Sequence, residues 1–233
     1  MITTKSTPRS LGFAALYLAA ALVAAMIYFL LGTDYPTVTD PAEKVVLLVQ
    51  NQLGIHVMYL VAYVGFGLVL AVLALGLQAR LSAAAPTAAR IGAAVGLIWA
   101  GMLIASGMVY IVGMGSVVDL QATDPAAAMS AWQAIEPVAL GLGGAGGEVL
   151  GGTWVLLVSL TSLRDHQLPT WLAWLGLGIG TAGIISTMPG LAGIAVLFGL
   201  LVIVWLSGLG IFLLRERPSS RPSVGQPLVG AAG

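Results

Sequence analysis

Four long runs without Asp, Glu, Lys or Arg restrict the fold of this chain more than any other feature. They extend from Ser10 to Thr33, Val45 to Ala79, Ile91 to Val118 and Gln167 to Leu214. Each exceeds the roughly 20 residues that a helix needs to cross a bilayer. Since 59% of the 233 residues are hydrophobic and only 8% are charged, we expect an all-α, polytopic membrane helical bundle.

Along the chain we predict six transmembrane helices. The last run contains Met188-Pro189-Gly190, and Pro with Gly breaks a helix there. We expect a six-span domain over residues 1–217 and a disordered cytoplasmic tail over the Pro-, Gly- and Ser-rich residues 218–233. The predicted spans are about 11–32, 55–78, 91–114, 138–162, 170–187 and 191–214.

The basic residues predict the orientation of the chain. Lys and Arg collect in cytoplasmic loops, and in a six-span arrangement only Lys44 lies on the opposite side. Both termini are therefore expected in the cytoplasm, with the protein in the inner (plasma) membrane. The basic residues on the predicted cytoplasmic side are Lys5, Arg9, Arg80, Arg90, Arg164, Arg215, Arg217 and Arg221.

Two helical extensions are predicted on the outer side. Asp40-Pro41 and Asp124-Pro125 each place an N-cap residue before a proline at the first helical position. Asp40 and Asp124 are 84 residues apart, and the same 84-residue offset relates Arg80 to Arg164. This spacing is consistent either with a repeated helical hairpin or with chance, because the two halves share little other identity.

Glu148 is the most informative single residue. It lies near the middle of the predicted fourth span, where a carboxylate in hydrocarbon is costly. One interpretation is a proton-accepting or cation-contacting group that faces the interior of the bundle. The other is a neutral side chain that joins two helices by a hydrogen bond.

A glycine pattern surrounds this carboxyl group. Gly143, Gly147 and Gly151 form a GxxxGxxxG ridge, which is typical of helices that pack closely in membranes. Glu148 lies beside the ridge, so we expect it to face a helix interface rather than lipid.

Polar side chains also recur at helical spacing where the second span begins. Gln52, His56, Tyr59 and Tyr63 share one face, and Glu136 has the corresponding depth before the fourth span. These residues are candidates for an outer vestibule that admits a polar ligand or protons. The alternative is an interfacial girdle, because Tyr and His favour the membrane surface.

Several chemistries lack the residues that they need. The chain has no Cys and two His, and we expect His56 and His166 on opposite sides, so we identify no metal site. No catalytic residue or cofactor can be named, and an enzyme is less favoured than a non-enzyme. The predicted membrane topology accounts for the basic residues, so we predict no surface that binds nucleic acid.

The C-terminal half resembles a known family. The segments that carry the resemblance are Gly151-Gly152-Thr153-Trp154, Leu168-Pro169-Thr170-Trp171-Leu172-Ala173-Trp174-Leu175-Gly176-Leu177, and Trp205 with Gly208-Leu209-Gly210. They resemble six-span bacterial integral membrane proteins classed as a domain of unknown function, mainly over residues 130–215. The resemblance implies six spans but no substrate, cofactor or catalytic residue.

Two functions therefore stand open. The first is small-molecule or proton- or cation-linked transport, or ligand binding, through an intramembrane carboxyl group. The second is a structural or accessory subunit whose Gly-rich helices pack against a membrane-protein partner or another copy of the chain. Besides protein partners, the lipid bilayer is the expected surrounding.

Overall fold

The computed structural model describes residues 7–83, 85–143, 148–191 and 193–216, and these form a bundle of α-helices. The predicted all-α class is confirmed. The helices are α1 (Pro8–Gly32), α2 (Pro41–Gln50), α3 (Gln52–Leu81), α4 (Pro86–Gln121), α5 (Pro125–Gly143), α6 (Val149–Asp165), α7 (Thr170–Ile185) and α8 (Ile194–Arg215).

Four of the described helices are long and apolar enough to cross a membrane. They are α1, α3, α4 and α8, with 25, 30, 36 and 22 residues. Helices α6 and α7 are apolar but shorter, with 17 and 16 residues. At 1.5 Å per residue, each of these two is about 25 Å long, slightly less than the hydrocarbon core. Six crossings therefore remain a prediction.

The predicted helix starts at Asp40 and Asp124 are confirmed. The Asp40 carboxylate accepts hydrogen bonds from the backbone N–H groups of Ala42 (2.7 Å) and Glu43 (3.1 Å). The Asp124 carboxylate accepts one from the N–H of Ala127 at 3.0 Å. Each side chain satisfies backbone donors that have no partner within the helix, so each aspartate fixes where its helix begins.

The predicted fourth span is not one continuous helix. Helix α5 is described as far as Gly143, residues 144–147 lie outside the described residues, Glu148 has non-helical backbone angles (φ −91°, ψ 51°), and α6 begins at Val149. The expectation that Glu148 lies within a helix was wrong. Five of the seven residues 141–147 are glycine, and each glycine costs about 1 kcal/mol in a helix relative to alanine.

Helices α5 and α6 nevertheless follow one path along α4. The side chain of Ile135 in α5 packs on Gly113, and that of Trp154 in α6 packs on Gly96. Contacts thus move down α4 as the chain proceeds from α5 to α6. Together, α5 and α6 run antiparallel to α4, and Glu148 lies between them.

One end of the bundle, which we call the Arg80 end, joins four segments. Arg80 donates hydrogen bonds through Nη2 to the Gln167 carbonyl and to Glu216 Oε1, both at 3.1 Å. Gly12, near the start of α1, lies against Gly210 near the end of α8. The N-terminal end of α1 and the C-terminal end of α8 therefore lie at the same end of the bundle.

The outer surface of the bundle is apolar. Phe13, Leu31, Leu53 and Val196 are among the large hydrophobic side chains that are more than 60% exposed. An apolar surface of this extent is a liability in water but suits contact with lipid. The fold and its surface together indicate a membrane-embedded protein.

Candidate functional site

A cavity of about 340 Å³ opens at the opposite end of the bundle, which we call the Lys44 end. Five of its nine lining residues are aromatic. This Lys44-end cavity is lined by Phe29, Tyr35, Pro36, Lys44, Tyr59, Tyr63, Tyr110, Glu136 and Leu140.

An ion pair crosses this cavity. Lys44 Nζ lies 2.8 Å from Glu136 Oε1 and 3.0 Å from Glu136 Oε2. The Tyr35 hydroxyl donates a third hydrogen bond to Glu136 Oε1 at 2.8 Å, and the Trp132 indole N–H donates to the Tyr35 hydroxyl at 2.9 Å. The carboxylate of α5 is thus held by the ammonium of α2 and by a phenol from the connecting loop.

The chain between α1 and α2 places Tyr35 in this network. Asp34 adopts the left-handed conformation (φ 56°), which Asp tolerates better than most residues, and Tyr35–Thr37 then form a 3₁₀ turn that contains Pro36. Burial, followed by the neighbouring Glu136 carboxylate, raises the pKa of the Tyr35 phenol well above its usual value. Tyr35 therefore remains a neutral hydrogen-bond donor at physiological pH.

Aromatic rings build the rest of the wall. The Tyr59 and Tyr110 rings are stacked, with centroids 4.3 Å apart and planes 7° apart. The Tyr63 ring meets Tyr110 edge to face at 5.6 Å, and the Phe29 ring lies 5.7 Å from Tyr59. These contacts join α1, α3 and α4 around the cavity.

A second cavity of about 220 Å³ lies deeper in the bundle. Glu148 lines it, and we call it the Glu148 cavity. Phe29 and Tyr63 line both cavities, so these two side chains form the partition between them. The other residues that line the Glu148 cavity are Leu22, Ala25, Ala62, Phe66, Trp99, Leu103, Gly143, Phe198, Gly199 and Val202.

The backbone of Glu148 is anchored to α7. Its N–H donates to Ser186 Oγ at 3.1 Å, and the Ser186 hydroxyl donates in turn to the Gly183 carbonyl at 2.6 Å. Ser186 is buried. Within the described residues, no side chain or backbone group forms a hydrogen bond with the Glu148 carboxyl group, which faces the cavity instead.

Both residues of the partition lie on π-helical segments. Phe29 belongs to Tyr28–Gly32, the last turn of α1, and Tyr63 belongs to Leu60–Gly65 within α3. The Tyr17 hydroxyl of α1 donates a hydrogen bond to the Val61 carbonyl in the second segment at 3.2 Å. Single π-helical turns are frequent at functional sites because they redirect side chains.

Only some of the residues that the sequence singled out lie at the two cavities. It brings Tyr59, Tyr63 and Glu136 into the Lys44-end cavity and Glu148 into the adjoining one. Gln52 is exposed and His56 is half-buried, and neither lines the two cavities.

The described glycines of the predicted ridge pack against side chains of this same chain. Gly143 lies against Ser106 and Tyr63, whereas Gly151 lies against Trp99 and Phe198. Gly147 lies outside the described residues.

Sequence reasoning did not identify several residues of the site. It treated Lys44 only as an exception to the charge pattern, and it did not consider Phe29, Tyr35, Tyr110 or Trp132. One usable signal was present: Lys44 is the single basic residue on the predicted outer side, where an acidic partner is expected. The aromatic partners carry no comparable signal, because aromatic side chains are common at membrane interfaces.

The fold and the two cavities indicate the class of all-helical, membrane-embedded proteins, here with a half-buried carboxyl group, that of Glu148, at a cavity inside the bundle. No protein-family model, curated protein or solved structure matches the chain.

Proposed function

We propose that the protein moves a small cation or protons across the inner membrane, from the Lys44 end to Glu148 and onward to the Arg80 end. In this proposal the chain crosses the membrane six times and both termini are cytoplasmic. The observation that carries the proposal is the interrupted α5–α6 path, which leaves the Glu148 carboxyl group in a cavity that adjoins the Lys44-end cavity.

The chemistry of membrane interiors supports this role. Ionisable side chains in transmembrane segments are costly, and they commonly mark ion paths or proton relays. Helices that break near the middle of the bilayer are also a recurrent way to build transporter sites, because the break frees polar backbone groups and opens space for a ligand.

The 84-residue offset adds a second line of support. Shifting the π-helical segment Leu60–Gly65 by this offset places it over residues 144–149, which include Glu148. Within that range the offset relates Glu148, whose backbone angles are non-helical, to Val64 of the π-helical segment. Irregular segments at matching positions of two repeats are a good indication of a binding site in transporters.

The packing of two glycines makes the accessory-subunit alternative less favoured. In the form that relies on the GxxxGxxxG ridge, it requires Gly143 and Gly151 to remain available to another protein. Gly143 and Gly151 are instead covered by side chains of this chain, so these two glycines contribute to internal packing.

Reconstitution into liposomes tests the proposal. Uptake of protons, Na⁺ and radiolabelled choline is measured under an imposed membrane potential, with protein-free liposomes as the blank. We expect the wild type to move at least one of these cations. The Glu148→Gln substitution preserves the size of the side chain but removes the ionisable group, so it should lower that flux at least tenfold. The control Glu43→Gln, at an exposed position, should leave the flux unchanged.

Two results would overturn the proposal. One is wild-type flux no greater than the protein-free blank for all three cations. The other is full flux through the Glu148→Gln variant, which would assign the carboxyl group to helix packing.

A further inference from the structure

We propose that the Lys44-end cavity binds an organic ammonium ion, and that the Lys44 side chain holds the same place until the ligand displaces it. The proposal rests on the proposed function for the role of this cavity as the entrance. It adds the chemical class of the ligand and assigns Lys44 as an internal competitor.

The position of the Lys44 ammonium is the first observation. It contacts both carboxylate oxygens of Glu136 and lies 5.0 Å from the centroid of the Tyr35 ring. A carboxylate and an aromatic face within about 6 Å are the two groups that recognise an alkylammonium ion. The cavity therefore already accommodates this chemical group.

The aromatic wall favours an alkylated cation over a bare ammonium. Tyr59, Tyr63, Tyr110 and Phe29 present apolar and π-rich surface to the same space. A lysine ammonium is compact and strongly hydrated, whereas a quaternary ammonium group carries its charge on methyl groups and is recognised by aromatic cages. The volume of about 340 Å³ lies at the small end of the range that holds small organic ligands, roughly 300–1,000 Å³.

The surroundings of Lys44 allow it to leave. Its side chain is 20% exposed and belongs to α2, a short helix at the mouth of the cavity. When it moves into water, Glu136 remains to balance the incoming charge. An anionic ligand would have to displace Glu136 instead, which is less exposed (15%) and is also held by Tyr35.

The next cavity fits the same class of ligand. It shares Phe29 and Tyr63 with the entrance and contains the carboxyl group of Glu148. None of the described residues that line either cavity is basic except Lys44. A cation that passes the partition therefore meets a second acidic group and no competing positive charge.

Calorimetric titration of the full-length protein in detergent tests the inference with two probes of matched shape. Choline carries the quaternary ammonium group, and 3,3-dimethylbutan-1-ol replaces its nitrogen with carbon. We expect choline to bind at least tenfold more tightly than the neutral analogue. This comparison uses only the wild type, so it does not depend on the folding of a variant.

Three variants then assign the site. Glu136→Gln should weaken choline binding at least tenfold, because it removes the counter-charge. Lys44→Met should strengthen it at least tenfold, because it removes the internal competitor. Glu43→Gln changes a neighbouring exposed carboxylate on α2 and should leave the affinity unchanged.

Equal binding of the two probes, or no binding of choline, would overturn the inference. A weaker affinity in Lys44→Met together with a stronger one in Glu136→Gln would also overturn it, because that pattern describes an anion site. Choline binding that persists in Glu148→Gln, combined with undiminished flux, would remove the proposed function alone. Glu148-dependent proton flux without choline binding would remove this inference alone.

Discussion

The Lys44 ammonium lies 2.8 Å from the Glu136 carboxylate, although the two residues are 92 positions apart in the sequence. This pair connects α2, which precedes the helix pair α3–α4, to α5, the first helix of the interrupted α5–α6 path. It therefore links the two helices whose starts are related by the 84-residue offset.

The pair should contribute measurably to stability. Lys44→Met leaves the Glu136 carboxylate in a largely buried position with only Tyr35 as a partner, so we expect a loss of about 1–3 kcal/mol in the free energy of unfolding. The double variant Lys44→Met/Glu136→Gln should recover part of that loss, because it no longer contains an unpaired charge.

Thermal unfolding in detergent measures these differences, with Glu43→Gln as the matched control at an exposed site. A double variant whose loss equals the sum of the two single losses would show that the two side chains are not energetically coupled.

The stability contributed by Tyr35 should depend on pH in the alkaline range. Its pKa is raised in the folded protein by burial and by Glu136. In the unfolded chain the phenol ionises near pH 10. The contribution is therefore fully present below about pH 10 and is lost as the pH rises toward the folded-state pKa.

Comparison of the wild type with Tyr35→Phe between pH 8 and pH 11 tests this sign. Near pH 8 the variant should be less stable by about 1 kcal/mol, because it loses the hydrogen bonds to Glu136 and Trp132. Above pH 10 the difference should shrink by up to about 1.4 kcal/mol per pH unit. A difference that stays constant over the range would contradict the buried, neutral state of the phenol.

Close backbone contact between α6 and α7 predicts a strong response at Gly180. A Cβ atom there would lie 2.7 Å from the Gly152 carbonyl oxygen and 2.6 Å from Leu156 Cβ. Neither atom belongs to a flexible side-chain end, so Gly180→Ala should destabilise the protein by about 1–3 kcal/mol.

Gly178 provides the control on the same helix. No atom lies within 4 Å of the position that its Cβ would occupy. Gly178→Ala should therefore be neutral or stabilising by up to about 1 kcal/mol, from helix propensity alone. Equal effects of the two substitutions on the melting temperature would argue against the α6–α7 contact.

The sequence predicts helices and their starts far better than it predicts the site. Asp40 and Asp124 act locally, within three residues of the donors that they cap, so their effect is readable from the chain. The network of Tyr35, Trp132 and Glu136 joins residues about 100 positions apart, and no periodicity in one segment encodes such contacts.

The interruption at Glu148 shows a different difficulty. A glycine-rich segment can favour close packing of a continuous helix or a break in that helix, and both outcomes depend on the same low helix propensity of glycine. The outcome here depends on contacts distant in sequence, such as Ser186 with the Glu148 N–H. The sequence singled out Glu148 as a candidate site residue, but the helical conformation predicted for it was wrong.

The number of crossings is testable at a single position, Gln167, because the chain contains no Cys. Arg80, at the end of α3, contacts the Gln167 carbonyl and Glu216. If α6 and α7 both cross, residue 167 lies on the same side as the C-terminal end of α8. If only the four longest helices cross, residue 167 lies on the opposite side of the membrane from Arg80, which is incompatible with their hydrogen bond.

A Gln167→Cys variant should therefore be labelled by a membrane-impermeant maleimide only after the cells are opened. Thr37→Cys, in the loop at the Lys44 end, should be labelled in intact cells, and Ser82→Cys, after α3, should behave like Gln167→Cys. These outcomes follow from the charge pattern, which predicts a cytoplasmic Arg80 end. Labelling of Gln167→Cys in intact cells, with Ser82→Cys protected, would reduce the number of crossings to four and would leave Glu148 without a path to the Arg80 side.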